Sequence, residues 1–261
     1  MPPLRRDDVS VWYAFTDRAA ESDCGAVRAL LSDAERARCQ RLRFEEDRVS
    51  FIVAHALLRT ALSRCAGARP EAWRFAAPVH GRPEIDTPPT LPRLRFNLSH
   101  SRGLVACAVT LERDVGIDVE RVDRRADTAA LARRYFSSSE NRFLAGLPAP
   151  EARARFFSLW TLKEAYVKAR GLGLGVALDV ASFEVVPGMP PAVSFRPGHD
   201  EDARAWQFAS LEPRPGYRLA VAARREASAR IDFVFLPMQV RSAAGGRQPF
   251  VPAGEDTAEA S

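Results

Sequence analysis

Three carboxylates and one ammonium are the groups in this chain whose types and spacing suit chemistry. Asp118 and Glu120 stand two apart in VGIDVE, and Glu164 and Lys168 stand one helical turn apart in FSLWTLKEAYVKA. Read as a strand, Val115–Val119 turns Val115, Ile117 and Val119 to one face and Gly116, Asp118 and Glu120 to the other. Two carboxylates so placed lie about 6.6 Å apart along the strand and can converge on one hard cation. Alone, the pair reads as the exposed polar face of an edge strand. Glu164, on a helix, adds a third oxygen donor. A magnesium ion takes a few such oxygens and leaves its other positions to water or substrate phosphates.

The cations are as selective as the anions. The chain has 38 lysines and arginines, and its only lysines are Lys163 and Lys168, five residues apart beside Glu164. An ammonium differs from a guanidinium in pKa, hydration and geometry, so this placement points to chemistry rather than bulk charge. The plainer reading of Glu164 and Lys168 is an i,i+4 pair, worth about 0.2–0.5 kcal/mol in a helix. Lys163 falls in the middle of the apolar stripe Phe156, Leu159, Trp160, Val167 and must find a partner or stay near water. Elsewhere, Arg36, Arg38, Arg41, Arg43 and Arg48 crowd one region, either a solvated face or a phosphate-binding patch. His100 stands in the polar run Asn97-Leu98-Ser99-His100-Ser101, read as a corner between two strands. Glu140, three residues after Ser137, reads as half of a capping box, and so does Glu35 after Ser32. The segment from Arg124 to Phe136 mixes basic residues with Leu131, Tyr135 and Phe136. It is either a docking surface or core.

These side chains need elements to hold them. Strands are expected at Val9–Phe15, Trp73–Ala76, Leu94–Leu98, Leu104–Leu111, Val115–Val119, Ser182–Val186, Ala192–Phe195, Arg204–Leu211 and Tyr217–Ala223. His80–Pro83 reads as a turn. Helical patterning covers Ser32–Leu62, as two helices or one broken one, then Ala129–Phe136, Ser137–Leu147 and a helix from Phe156 ended by Gly171 and Gly173. The order suggests one α+β unit used twice, with a seam near Arg113. The expected fold is therefore α+β, a pseudo-dimer of two similar halves. Each half is a small antiparallel sheet packed with helices, residues 1–113 and 114–225, with a site in the cleft between them. Residues 241–261, rich in Gly, Ala and Pro, read as a disordered tail.

Composition narrows the function classes. A net charge of +5 and pI near 9.4 favour anionic partners. Cys24, Cys39, Cys65 and Cys107 lack metal-ligand spacing and read as reduced thiols. No signal-like segment or long apolar run is evident, so a cytoplasmic protein away from membranes is expected. Arginines are dispersed without a basic-aromatic recognition motif, which argues against nucleic acid as partner.

FNLSHS (96–101), VGIDVE (115–120) and FSLWTLKEAYVKARGLGL (157–174) together resemble the 4′-phosphopantetheinyl transferases, of the two-unit surfactin-synthetase type. The resemblance covers roughly residues 30–225. It implies Mg²⁺-dependent transfer of phosphopantetheine from coenzyme A to a serine of apo acyl or peptidyl carrier proteins, as for polyketide or non-ribosomal peptide synthesis, by a monomer. It makes Asp118, Glu120 and Glu164 the metal ligands and Glu164 the general base as well. Lys168 becomes the residue that holds a phosphate and neutralises the leaving bisphosphate. Ser99, His100, Arg38, Arg48 and Arg82 are placed on coenzyme A, the nucleotide side falling to the N-terminal half. One departure stands out. Glu35 and Phe51 take two places where the family pattern has a lysine or hydroxyl residue, and Arg38 takes a third. Arg36, Arg38 and Arg48 are thus the candidates for the 3′-phosphate. The alternative activity for the same carboxylates is a Mg²⁺-dependent phosphodiesterase or nuclease.

Overall fold

The computed structural model describes residues 4–17, 19–76, 84–86, 93–171, 177–226, 229–240 and 249–253. Arg82, the turn around it and Gly173 lie outside the described residues. Along the chain run β1 (Asp8–Phe15), α1 (Gly25–Arg28), α2 (Asp33–Gln40), α3 (Glu45–Ala66), β2 (Phe75–Ala76), β3 (Glu84–Ile85), β4 (Leu94–Ser101) and β5 (Leu104–Leu111). Then follow β6 (Val115–Arg121), α4 (Thr128–Tyr135), α5 (Ser138–Ala145), α6 (Ala149–Arg170), β7 (Ala181–Glu184), β8 (Ala192–Phe195), β9 (Trp206–Leu211), β10 (Tyr217–Arg224), β11 (Asp232–Val240) and β12 (Phe250–Pro252). The architecture is α+β. Among the described residues one compact unit takes in the chain up to Ala76, Glu84–Glu112 and everything from Phe233 on. The other is Arg113–Asp232.

In the first unit the sheet runs β12-β11-β1-β5-β4. β1 pairs antiparallel with β5, Trp12 opposite Cys107, and β4 pairs antiparallel with β5 on its other side. α3 packs on this sheet through Ile52, Val53, Leu57 and Leu62, all fully buried with Trp12, Val105 and Cys107. Its first turn carries Glu45, Glu46 and Asp47, which suit the helix dipole, and Gly67 ends it at φ 75°. At 22 residues α3 is long and apolar enough to resemble a membrane span by composition, but 67% of its most apolar window is buried in this core. The Ser32–Glu35 capping box forms, and the Ser32–Leu62 region is two helices.

Two expectations change here. The Ser99-His100-Ser101 run is not a corner: β4 continues through Ser101, with Ser99 opposite Ala106 and His100 opposite Val105. The turn is Arg102-Gly103, where Gly103 supplies φ 84°. Nor is the whole of 241–261 a structureless tail. Phe250–Pro252 pair with β11, and Phe250 is fully buried, its carbonyl accepting from Arg64 Nη2 at 3.5 Å. Surrounding Gly, Ala and Pro hide this short apolar segment from a composition-based reading.

The second unit is a sheet β6-β10-β9 and a hairpin β7-β8, with α6 laid on the sheet. α6 begins seven residues before Phe156, at Ala149 after Pro148, and ends at Gly171 with φ 66°. Phe136, Phe156 and Trp160 stack in its core, with centroids 5.0 and 5.6 Å apart for the successive pairs. Phe136 is therefore core, and Leu131 and Tyr135 pack against the same cluster. β6 is an edge strand, yet both of its faces are buried. On the face bearing Asp118 and Glu120, Gly116 meets α6 backbone to backbone. A Cβ there would run into the Ala165 carbonyl oxygen and the Ala169 nitrogen. Gly116→Ala is accordingly expected to cost about 1–3 kcal/mol or more, since backbone on both sides must move. Thermal unfolding would show it, and an unchanged Tm would mean that β6 and α6 are less closely apposed than described.

Candidate active site

The contact at Gly116 decides where the polar side chains go. Asp118 and Glu120 follow it on the same face of β6. Glu164 and Lys168, each neighbouring a helix alanine that touches Gly116, come from α6. Asp118 and Glu120 are buried, and Glu164 and Lys168 half-buried. Lys168 does not close a simple intrahelical pair: its Nζ reaches across to Asp118 Oδ1 at 2.6 Å. Arg124, in the loop after β6, donates from Nη1 to Glu120 Oε1 at 2.5 Å.

The electrostatics show that the carboxylates act on one another. Burial first, then the Asp118 charge, pushes the Glu120 carboxyl up to about 7, against the pull of Arg124 and Lys168. Burial and then Asp118 also raise Glu164, with Lys168 and Arg124 opposing. Among the described residues no three acidic, histidine or cysteine side chains are gathered tightly enough to enclose an ion. The donor set nonetheless fits a hard divalent cation: all oxygen, with two carboxyls held above their usual range by burial and by the Asp118 charge. Asp118, Glu120 and Glu164 are the residues that would hold it. Neither of two grooves in this unit, of about 520 and 380 Å³ and sharing Arg155 and Ser158, is lined by these residues.

The other lysine lies elsewhere. Lys163, only 1% exposed, pairs with Glu140 Oε2 at 2.8 Å and donates to the carbonyls of Leu178, at 3.0 Å, and Ala181. Burial pulls its ammonium pKa down, and the Glu140 charge and hydrogen bond oppose that. Glu140 completes the Ser137 capping box and accepts from Phe183 N at 3.0 Å, so its reading as structural holds. Lys163 is thus a buried tie between α6, α5 and the chain entering β7.

In the first unit the arginines separate. Arg48 donates to Glu21 at 2.8 Å and to the carbonyls of Leu42 and Arg43, and Arg36 to Asp33 and the Leu31 carbonyl. Both are engaged in holding local structure, which counts against either as a phosphate ligand. Arg38 is exposed, its guanidinium 5.7 Å over the Phe51 ring. Ser99 is buried and His100 exposed on β4. Glu35 faces inward. Burial alone would raise it. Hydrogen bonds from His55 and the Ser32 backbone, with the Arg59 and His55 charges, bring it down to about 2. Sequence reasoning missed the Arg124–Glu120 contact, because the spacing i,i+4 signals a pair only within a helix.

Models of known families match both parts of the chain. Residues 18–112 fit the 4′-phosphopantetheinyl transferase N-terminal model and 114–222 the 4′-phosphopantetheinyl transferase superfamily. HetI, a 4′-phosphopantetheinyl transferase of Nostoc sp. strain PCC 7120, is 34% identical over 84% of this chain and 89% of its own length. The chain belongs to the 4′-phosphopantetheinyl transferases. It is of the Sfp type: Sfp of Bacillus subtilis strain 168 is 29% identical over 82% of this chain and 92% of its own. Among solved structures, a holo-(acyl-carrier-protein) synthase from Bacillus anthracis in complex with CoA (3′,5′-ADP) is similar over 44% of this chain and 96% of its own, at 17% identity and TM-score 0.38. Membership leaves the phosphodiesterase or nuclease alternative without support.

In this transferase Glu120 gives a pH signature. Its folded pKa of about 7 lies above its ordinary 4.5. Between those values the folded state keeps a proton that the unfolded chain has released, so stability is lost as pH rises through the window. In metal-free buffer, Tm should fall from about pH 5 to about pH 7, and Glu120→Gln should flatten that fall. Parallel wild-type and variant curves would place the titration on another group.

Proposed function

We propose that this transferase moves 4′-phosphopantetheine from coenzyme A to a serine of apo acyl or peptidyl carrier proteins of polyketide or non-ribosomal peptide synthesis, with Mg²⁺ at Asp118, Glu120 and Glu164. The observation that carries this reading is the meeting of Asp118 and Glu120 on β6 with Glu164 and Lys168 on α6. The metal, when bound, would neutralise the pyrophosphate and polarise its phosphorus. Glu164, raised by burial and by Asp118, is suited to accept the serine proton, directly or through a water. The serine oxygen forms its bond to phosphorus as the bond to adenosine 3′,5′-bisphosphate breaks, and the Lys168 ammonium answers the charge that develops on the leaving group. Arg38, Ser99 and His100 would contact the nucleotide end of the donor.

The carrier is the acidic partner that a +5 chain suits. Arg125, Arg133 and Arg134, exposed on the segment from Arg124 to Phe136, are its docking residues. The reading also takes the protein to be a cytoplasmic monomer.

Intact-mass measurement tests the activity. An apo carrier should gain the phosphopantetheine mass only with both coenzyme A and Mg²⁺ present, and transfer that survives complete chelation of divalent metal would remove the metal from the scheme. Lys168→Arg should lower kcat by on the order of 10²-fold, because a planar fork cannot occupy the place of a compact ammonium between Asp118 and a phosphate. Near-native turnover in that variant would show that the site needs only positive charge.

A further inference from the structure

Each β6 carboxylate assigned to the metal is already answered by a cation of the chain itself, Asp118 by Lys168 and Glu120 by Arg124. The two cations differ in how they are placed. Lys168 projects from the helix that also carries Glu164. Arg124 projects from a loop of no regular structure, and that loop is braced from α6 by a second arginine. Arg153 donates from Nε to the Val122 carbonyl at 2.7 Å, from Nη1 to the Ala126 carbonyl at 3.3 Å and from Nη2 to the Arg124 carbonyl. One planar fork thereby serves three carbonyl acceptors, which a lysine could not do in this arrangement. Val122 N bonds to the Gly216 carbonyl at 2.8 Å and Arg124 N to the Arg121 carbonyl at 3.2 Å, so the loop backbone is fixed where Arg124 begins.

We propose that Arg124 is an internal counter-cation, which occupies Glu120 in the metal-free enzyme and must leave it before a divalent cation can bind there. The asymmetry of burial gives the direction. The Glu120 side chain is 11% exposed and the Arg124 side chain 47%. Released, the guanidinium swings into water at little desolvation cost, whereas a buried carboxylate left without a cation is costly. Arg124 therefore leaves only when another positive charge arrives. It lowers the metal affinity of the site, and it prevents the carboxylates from repelling one another while no metal is bound. Once displaced, it remains tethered within a side-chain length of Glu120, where a guanidinium can take two oxygens of a substrate phosphate.

This inference rests on the metal reading proposed above. Its test uses the purified full-length protein without coenzyme A or carrier. Binding of Mg²⁺ is measured by titration calorimetry, and binding of Mn²⁺ by electron paramagnetic resonance. Arg124→Gln should bind either ion about fivefold more tightly than the wild type or better, the scale of a partly exposed ion pair removed from competition. Arg125→Gln, which removes the same charge from the neighbouring exposed position, should leave the affinity as it is. Metal-free Arg124→Gln should also gain more in Tm on adding a saturating ion than the wild type does. Equal or weaker binding by Arg124→Gln, or equal tightening by Arg125→Gln, overturns the proposal. Binding by none of the proteins removes the metal reading together with it.

Discussion

The second unit depends on a place where a side chain is missing. At Gly116 strand and helix touch through their backbones, and every polar group of the candidate site is positioned relative to that contact. A closer helix than usual has an electrostatic result. Asp118 and Glu120 are drawn under α6 and out of water, which then screens their mutual repulsion less. The proton affinity of Glu120 and Glu164 rises as a consequence, and cations gather from α6 and the following loop. The site is thus strained in charge rather than in geometry.

The two lysines sit in different surroundings. Around Lys163 three acceptors, Glu140 Oε2 and two main-chain carbonyls, meet the three N–H groups of an ammonium in a fully buried space. A buried pair of this kind is weak support for stability in itself, because desolvation offsets attraction. Its effect is to fix which way α6 faces. Lys168, five residues on, keeps part of its side chain in water and points to β6.

Much of this was legible in the sequence, and the failures have physical causes. Alternation in VGIDVE places Asp118 and Glu120 correctly on the face of Gly116, because period two survives whatever packs on the strand. It does not say that the face is covered, since Gly116 is the sole hint of a helix above it. The capping boxes at Ser32 and Ser137 form as the spacing requires, being local. Arg48 looks like Arg38 in composition but is engaged by carbonyls of a preceding turn, which no spacing rule encodes. β11 went unread because Pro237 interrupts a half-exposed strand and because its partner, β1, lies at the other end of the chain.

That last pairing has a consequence for the order in which the molecule is made. Among the described residues the second unit is one unbroken stretch, and all its strand partners are contained within it. The first unit is discontinuous: its outer strands β11 and β12 are synthesised after the whole of the second. On a ribosome the part that emerges first therefore finishes last. Until residues through Val240 leave the exit tunnel, β1 stands as a bare sheet edge, a long-range closure of the kind that slows folding and invites mispairing.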